Sequence, residues 1–581
     1  MKFKTRPIHS TLLIKRLRSC AVSATILGIM DFALFMADFI ISGQFLGAEA
    51  LAGLAAMNPL ITFLTFINII IPSGTLSAIS AARGEGNIDR ANKLFSSGII
   101  TSLFLGIISS LIMFVLSSRY AGSSLLSGEI AGFAASYCRG LVLMPLFMFI
   151  NTFLYYIHIG EGFENYCIAS SIAKLTVNIG LDILLCASLS TFGVGIATTL
   201  GYLASLVIKL IPVFWKRLSL KFRFHFDLKR LLRLALEGFV LSSDFICPVL
   251  FSSVLNFIII TMIGDSELVV FSIILNIENL CMSLYSCLAN SIQSLVCQFH
   301  TEGNLINIKR VMKYMTAFIS ISSIIISIII MLSSQYIPGL FGIKDDGLIT
   351  KTAGAICRYA PFVIFLGLMT LLSRYYVYIR HRIYGFVSIL FASVIIPAAS
   401  HVIVLFIWNK EAAWMGLGIG YLISFAVNLC CTGMIKRRGK KNTDLLLLLD
   451  RDAMDKQLSY NIHATQKDIM DCLSRIRADL DRQGSLAPER KNMLIFMTEE
   501  NCMNILDRST DENDDIEINI IRTANEPKDH HLIIRSNCVP DSRVSDHAES
   551  FRQSIINNVM SRTSGNYSFS LKNENVISYK G

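Results

Sequence analysis

Long apolar runs separated by short polar segments fill the chain from about residue 22 to residue 435. Beyond that point polar and apolar residues mix as in a water-soluble protein. A helix needs about 20 apolar residues to cross a bilayer, and on that ruler the first 435 residues divide into twelve predicted spans. Six lie near 22–44, 52–80, 94–117, 132–158, 164–187 and 191–215, and six near 235–262, 268–298, 311–337, 351–379, 384–407 and 414–435. The connecting segments alternate in charge. Lys15, Arg16 and Arg18 precede the first span, Arg83, Arg90 and Lys93 follow the second, and a basic stretch from Lys216 to Arg233 follows the sixth. Lys309, Arg310 and Lys313 follow the eighth span, Arg380 and Arg382 the tenth, and Lys436 to Lys441 the twelfth. The alternate loops, such as SLSTFG (188–193) and WNKEAAW (408–414), are short and poor in Lys and Arg. Positive charge stays on the cytoplasmic side, so both termini are expected there. The loop after span four carries little charge and adds nothing to that argument.

The pattern repeats. FLGAEAL (45–51) and RGEGN (83–87) return as MIGDSEL (262–268) and HTEGN (300–304), with one offset of 217 residues separating both Gly47 from Gly264 and Glu85 from Glu302. Tyr155-Tyr156-Ile157-His158-Ile159 likewise resembles Tyr375-Tyr376-Val377-Tyr378-Ile379, and Cys138-Arg139 resembles Cys357-Arg358. Six spans followed by six in the same orientation form a parallel repeat, in which substrate and ions bind near the bilayer midplane. The expected units are residues 1–215 and 235–435, a basic linker at 216–234, and a cytoplasmic domain at 436–581.

Composition agrees. Of 581 residues 53% are hydrophobic and 16% charged, against about a quarter charged in soluble proteins. The net charge of +10 comes mainly from loops between spans, so it argues for membrane topology and not for nucleic acid. Most of the fourteen cysteines lie in apolar segments and read as small buried hydrophobes, and no spacing suits a metal site. The basic N-terminus lacks the short apolar core and cleavage site of a removable signal peptide.

Ionisable residues inside apolar runs are expensive and usually functional. Asp38 lies in span one, with Asp31 seven residues earlier on roughly the same helical face. Span five places Lys174, Asn178 and Asp182 at i, i+4 and i+8, one stripe of an otherwise apolar helix. Such groups need each other or water. A carboxylate there can exchange a proton, or bind Na⁺ with the Asn carbonyl. The plainer reading is a satisfied contact that packs helices. Lys174 fits either role, and Asp31 fits the headgroup region. In the second half, the stretch aligned with Asn178 and Asp182 supplies Ala398 and Val402, so no acid pair recurs. Asp244 and Glu278 are its ionisable residues, read equally as contacts for a substrate cation or as packing groups.

Asp38-x-x-x-x-Gly43-x-x-x-Gly47, the following Ala-Leu-Ala and Asn58-Pro59, Asn178-x-x-x-Asp182, and Gly193-Val-Gly-Ile-Ala-Thr198 together resemble the multidrug and toxic compound extrusion (MATE) transporters over residues 15–435. The resemblance is to the prokaryotic DinF-like branch with an acidic N-lobe. It implies an all-α polytopic protein with twelve helices in two six-helix lobes around a V-shaped cleft. It also implies antiport, in which organic cations or drugs leave as H⁺ or Na⁺ enters, with no cofactor. The implied ion-coupling positions are Asp38, Asn178, Asp182 and Thr198, with Thr199 an alternative to Thr198. The branch that couples through the C-lobe carries a Glu in span seven at a different spacing from that of Asp244, so that role is not transferred.

From about residue 444 the segment Leu445–Ser485 shows helical periodicity, followed by an apolar stretch at 492–504. Ile516–Arg522 and Leu532–Arg535 alternate as strands. With a helix at Ala548–Ser561 and a final strand pair, the tail reads as a small α/β sandwich. Glu500-x-x-x-Asn504, the strands and the segment Ile534–Pro540 resemble the ATP-binding fold of histidine kinases and anti-sigma serine kinases. In that family the Asn binds Mg²⁺, and a later Asp-x-Gly recognises adenine; here Ser536 and Cys538 stand at those positions. The tail is therefore read as a degenerate, non-catalytic regulatory or docking domain in which ATP and Mg²⁺ are not expected, with nucleotide binding without catalysis left open. It could take a cytoplasmic protein partner.

The expected protein is a monomeric efflux antiporter of the cytoplasmic membrane, in contact with lipid and an organic cation. It is not an enzyme. The rival readings are a lipid-linked saccharide flippase of the same superfamily, hinted at only by Lys174, and a membrane-anchored sensor, which would need an intact nucleotide box.

Overall fold

The computed structural model describes residues 11–120, 128–223, 228–262, 266–341, 345–408, 413–438, 442–483, 486–509, 514–522, 530–537, 567–571 and 574–580, apart from some side chains within these ranges. Gly264, Cys538 and the helix expected at Ala548–Ser561 lie outside them, as does the side chain of Asp244. The first half comprises α1 (Thr11–Leu46), α2 (Ala48–Gly84), α3 (Ile88–Tyr120), α4 (Gly128–Gly140), α5 (Met144–Glu161) and α6 (Glu164–Phe214). The second begins with α7 (Leu228–Met262), α8 (Ser266–Ser291), α9 (Gln293–Glu302), α10 (Leu305–Leu332) and α11 (Ile337–Leu340). It ends with α12 (Asp346–Tyr359), α13 (Val363–Tyr378), α14 (Arg382–Leu390), α15 (Ile396–Ile407) and α16 (Ala413–Arg438).

Among the described residues nine helical stretches are long and apolar enough to cross a membrane, and the pair α4–α5, bent by 54°, makes a tenth. The bend falls just before Pro145, whose missing N–H suits a helix start. Predicted spans five and six are the two limbs of α6, which meet at a sharp break at Ser190 (φ 55°, ψ −146°), where Gly193 folds back against Leu185. Leu103, Phe104, Ile107 and Leu111 on α3, and Ile321, Ile324, Ile325 and Ile328 on α10, are large, apolar and exposed. Belts of that kind suit lipid and not water.

The repeat is visible in the turns. Gly86 (φ 76°) and Gly303 (φ 78°) adopt the left-handed conformation that only glycine takes without strain. The next residue caps the following helix in both copies: Asn87 Oδ1 accepts from Arg90 N at 2.9 Å, and Asn304 Oδ1 from Asn307 N at 3.2 Å. The basic linker is anchored rather than loose. Leu220, Leu231 and Leu234 are buried in the core of the first half. Arg83 is buried too, paired with Glu161, whose carboxylate accepts from Ser219 N at 3.0 Å and Ser219 Oγ at 2.9 Å.

The halves meet toward the end that carries the basic loops. Gly74 lies against the backbone of Leu234, Gly238 against Ile70, Gly28 against Leu284, and Gly84 against Gln298, with no room for a Cβ at any of them. Hydrogen bonds cluster in the same region. Ser80 Oγ donates to Ser294 Oγ at 3.0 Å, and Gln293 Nε2 to Ser73 O at 2.7 Å and to Ser77 Oγ at 2.8 Å.

The tail contains α17 (Arg451–Met454), β1 (Leu458–His463), α18 (Gln466–Gln483), α19 (Pro488–Arg508), β2 (Asp515–Arg522), β3 (His530–Ser536), β4 (Tyr567–Leu571) and β5 (Glu574–Lys580). The helical reading of Leu445–Ser485 is corrected by β1, where Leu458-Ser-Tyr-Asn-Ile-His alternates and pairs with β2. A period of two is too short a signal to stand out beside the long amphipathic α18. The antiparallel sheet runs β1-β2-β3-β5-β4, and Ile516, Ile518, Ile520, Leu532 and Ile534 on one face share a core with α18 and α19. The tail is tied to α13 by Tyr375 OH donating to Leu447 O at 2.8 Å and Tyr376 OH to Leu446 O at 3.0 Å. Asp444 braces that turn. Burial pushes its carboxyl up, but N–H bonds from Leu446 and Leu447 and the Arg451 guanidinium outweigh it and hold it below the usual carboxylate range.

Gly238→Ala is expected to lower the unfolding temperature in detergent by an amount equivalent to about 1–3 kcal/mol, the usual cost of overpacking. Gly132→Ala, at an open position inside α4, should not lower it.

Candidate functional site

Three helices of the first half converge on Asp38. It sits eight residues from the end of α1 and is buried. Asn178 and Thr198 reach it from the two limbs of α6 on either side of Ser190, and Tyr137 from α4. The kink is what brings the limbs side by side, since a straight helix would place residues twenty apart about 30 Å apart. Asn178 Nδ2 donates to Asp38 Oδ1 at 3.1 Å, and Thr198 Oγ1 and Tyr137 OH lie 3.1 and 3.4 Å from Asp38 Oδ2. Thr198 Oγ1 also lies 3.3 Å from Asn178 Nδ2 and 3.0 Å from Val194 O.

Asp182, one turn beyond Asn178, is buried close enough to Asp38 for the two carboxyls to act on each other. Neither of its oxygens has a hydrogen-bond donor among the described residues, and Asn178 Oδ1 has none either. Three acceptor oxygens one helical turn apart thus lack a donor among the described residues, beside a second carboxylate. Carboxylates in contact cannot both stay charged unless a proton or cation lies between them. The set suits either: one shared proton, or a small hard cation such as Na⁺ bound through oxygens.

The other expected residues are arranged differently. Lys174 points away from the cluster, pairing with Asp31 at 3.0 Å and lying 5.1 Å from the centre of the Tyr202 ring. The stripe of span five thus divides, its base going to Asp31 and its amide and acid to Asp38. Asp31 is half exposed. Thr199 donates to Gly140 O at 2.9 Å and does not reach Asp38. Glu278 is buried in the second half, accepting from Tyr421 OH at 2.6 Å and Tyr359 OH at 3.3 Å. Glu500 and Asn504 lie one turn apart on α19, and Ser536 is buried at the end of β3.

Among the described residues the second half has no counterpart of the cluster. At offsets of about 217–220 from Asp38, Tyr137 and Asn178 stand Leu255, Ile356 and Ala398, all in its apolar core.

Sequence reasoning missed Tyr137 and two buried cations. Lys209 on α6 donates to Asn151 Oδ1 at 2.5 Å and lies over the Tyr155 ring. Arg374 on α13 donates to Ser286 O at 3.0 Å, to Ser286 Oγ at 3.1 Å and to Asn290. The signal was present for both, as a single base inside an apolar run. For Tyr137 there was none, because a tyrosine in a helix is ordinary.

The MatE family profile matches residues 25–184 and 243–400. No curated protein matches the chain. Among solved structures, a multidrug resistance MATE family transporter of the MOP superfamily in an outward-facing conformation is 19% identical, with a TM-score of 0.67 over 72% of this chain and 94% of that one. MATE in complex with MaD3S is 19% identical, with a TM-score of 0.67 over 75% and 98%. A MOP superfamily transporter from Pyrococcus furiosus is 19% identical, with a TM-score of 0.65 over 74% and 96%. At that identity the likeness is one of fold.

Double-mutant cycles in detergent should reproduce this partition. Asp31→Asn with Lys174→Met is expected to show coupling of about 0.5–1 kcal/mol, whereas Lys174→Met with Asp182→Asn should be additive to within about 0.5 kcal/mol.

Proposed function

The chain belongs to the MatE family, and on that premise we propose that it is a secondary antiporter that expels small organic cations or drugs as H⁺ or Na⁺ enters. The observation that carries this reading is the Asp38–Asn178–Asp182 cluster, with Thr198 and Tyr137 as donors to one carboxylate and bare acceptor oxygens on the other. A coupling ion must bind reversibly, and here a proton or Na⁺ would supply the missing neutralisation. The rest of the cluster is prearranged by α1, α4 and α6. An ion can shift a conformational equilibrium only by its difference in affinity between two states. Asn178 and Asp182 share a turn of one limb of α6, Thr198 lies on the other, and Asp38 lies on α1. A change at the Ser190 kink would therefore alter the ion's ligands and the packing of the lobe together.

Twelve spans in two lobes remain our reading of the membrane part. Support comes from the length of α6, too great for one crossing, with its break at Ser190, and from the 35 residues of α7. Charge in the loops favours cytoplasmic termini and a cytoplasmic-membrane location. On that topology the glycine-lined contact between the halves seals the cytoplasmic side, as an outward-facing transporter requires. The N-lobe acids and their apolar counterparts in the second half favour the DinF-like branch. Glu278 is a candidate contact for a substrate cation. The flippase reading loses its one hint, since Asp31 neutralises Lys174. The tail we read as a non-catalytic kinase-like domain, and the transporter as a monomer.

In proteoliposomes, Asp38→Asn and Asp182→Asn are each expected to reduce gradient-driven efflux of an organic cation by about tenfold or more, while Thr199→Val keeps it. Intact transport in both acid variants would overturn the coupling assignment. For the tail, calorimetric titration of the full-length protein with Mg-ATP should give no heat of binding. Micromolar affinity would reverse the degenerate reading.

A further inference from the structure

The central strands of the tail are buried on both faces, and only one face is uniformly apolar. The other carries Glu517, Asn519, His531, Arg535 and Ser578 beside Ile521, Ile533 and Val576, all buried. A polar face buried in this way needs partners; His531 and Ser578 bond to each other, and the membrane part supplies partners for Glu517 and Arg535. Arg535 pairs with Glu302, both side chains almost wholly buried, and its guanidinium stacks 4.9 Å from the centre of the Phe299 ring. Asn307 Nδ2 donates to Glu517 Oε1 at 2.6 Å, and Arg310 to Ser459 Oγ at 2.9 Å. Gln457 donates to Gly303 O at 2.7 Å and accepts from Leu305 N at 3.0 Å. All of these partners lie at the α9–α10 turn of the second half.

The grip on the first half is lighter and chemically separate. Lys15 at the start of α1 pairs with Asp515 at 2.9 Å. Ile88 at the start of α3 packs against Ile521, Ile533 and Val576. Ile521 also faces Gly303, so one side chain packs beside one copy of the repeated Glu-Gly-Asn turn and lies over the other. The sheet therefore roofs the two equivalent turns beside the point where Gly84 meets Gln298.

We propose that the C-terminal domain is a conformational latch, riding on the second half and holding the basic-loop end of the first half through Lys15 and Ile88. This rests on the alternating-access reading. If the halves part at that end, the contacts at Glu302–Arg310 and at Tyr375–Tyr376 can persist, because they lie within one half. Those of Lys15 and Ile88 must break. A ligand or protein that shifted the sheet relative to Ile88 would then change how readily the transporter opens to the cytoplasm.

Hydrogen–deuterium exchange on the full-length protein in lipid nanodiscs tests this. Lys15→Glu/Ile88→Asp is expected to speed exchange at least fivefold across the seal, at Ser73–Gly84 and Gln293–Glu302, while β2 and β3 stay protected. Lys15→Glu alone alters only the exposed rim of the contact and should give a smaller rise in the same peptides. Arg310→Ala, on the half that carries the domain, should leave the seal at its wild-type rate. Seal exchange within twofold of wild type in both first-half variants would overturn the latch. Failure of the wild-type protein to transport in proteoliposomes would instead sink the antiport reading, so the two can fail separately.

Discussion

An ionisable side chain in hydrocarbon has no water to turn to, so the protein must compensate it from within, at a cost of about 2.5–3.5 kcal/mol or more when it does not. Nearly every buried charge here obeys that constraint locally. Lys174 has Asp31, Glu278 has two phenols, Arg374 has a serine and an asparagine, and Lys209 has an asparagine and an aromatic face. Asp38 has three donors. Asp182 stands apart, buried against another acid with no donor among the described residues. An exception that costly is retained where something transient completes it.

The duplicated architecture shows how the exception came to be confined to one half. Both copies keep the left-handed glycine and the asparagine cap at their basic turns, because those positions are set by backbone geometry. The side chains inside the helices are free of that demand. Leu255, Ile356 and Ala398 fill with packed apolar volume the places that the first half gives to Asp38, Tyr137 and Asn178. Symmetry of the chain path is therefore compatible with asymmetry of charge. Two halves that pack alike can respond unequally to one ion.

Much of this was legible in the sequence. Apolar runs marked the membrane part. The i, i+4 spacing of Asn178 and Asp182 placed them on one face, where the structure has them beside Asp38. The division of the stripe was not legible, because Lys174 shares that face and only the position of Asp31 on a neighbouring helix decides where its charge goes. In the tail, β1 was masked by the stronger helical period beside it. Docking of the sheet left only an indirect trace: alternation in β2 and β3 marks two faces without saying that the polar one is covered.

The ion pair of Arg535 and Glu302 crosses from one part of the chain to the other with both partners shielded from solvent. Removing one member of such a pair strands the other, at a cost of about 3–5 kcal/mol. Tail and transporter are thereby made non-interchangeable. A homologous tail transplanted onto a different membrane part, or this one onto another, would carry an unmatched charge into a dry interface. Recombination between relatives would tend to move the two segments together or not at all, and the boundary near residue 440, which by composition looks like a simple fusion joint, is one that evolution can no longer easily cut.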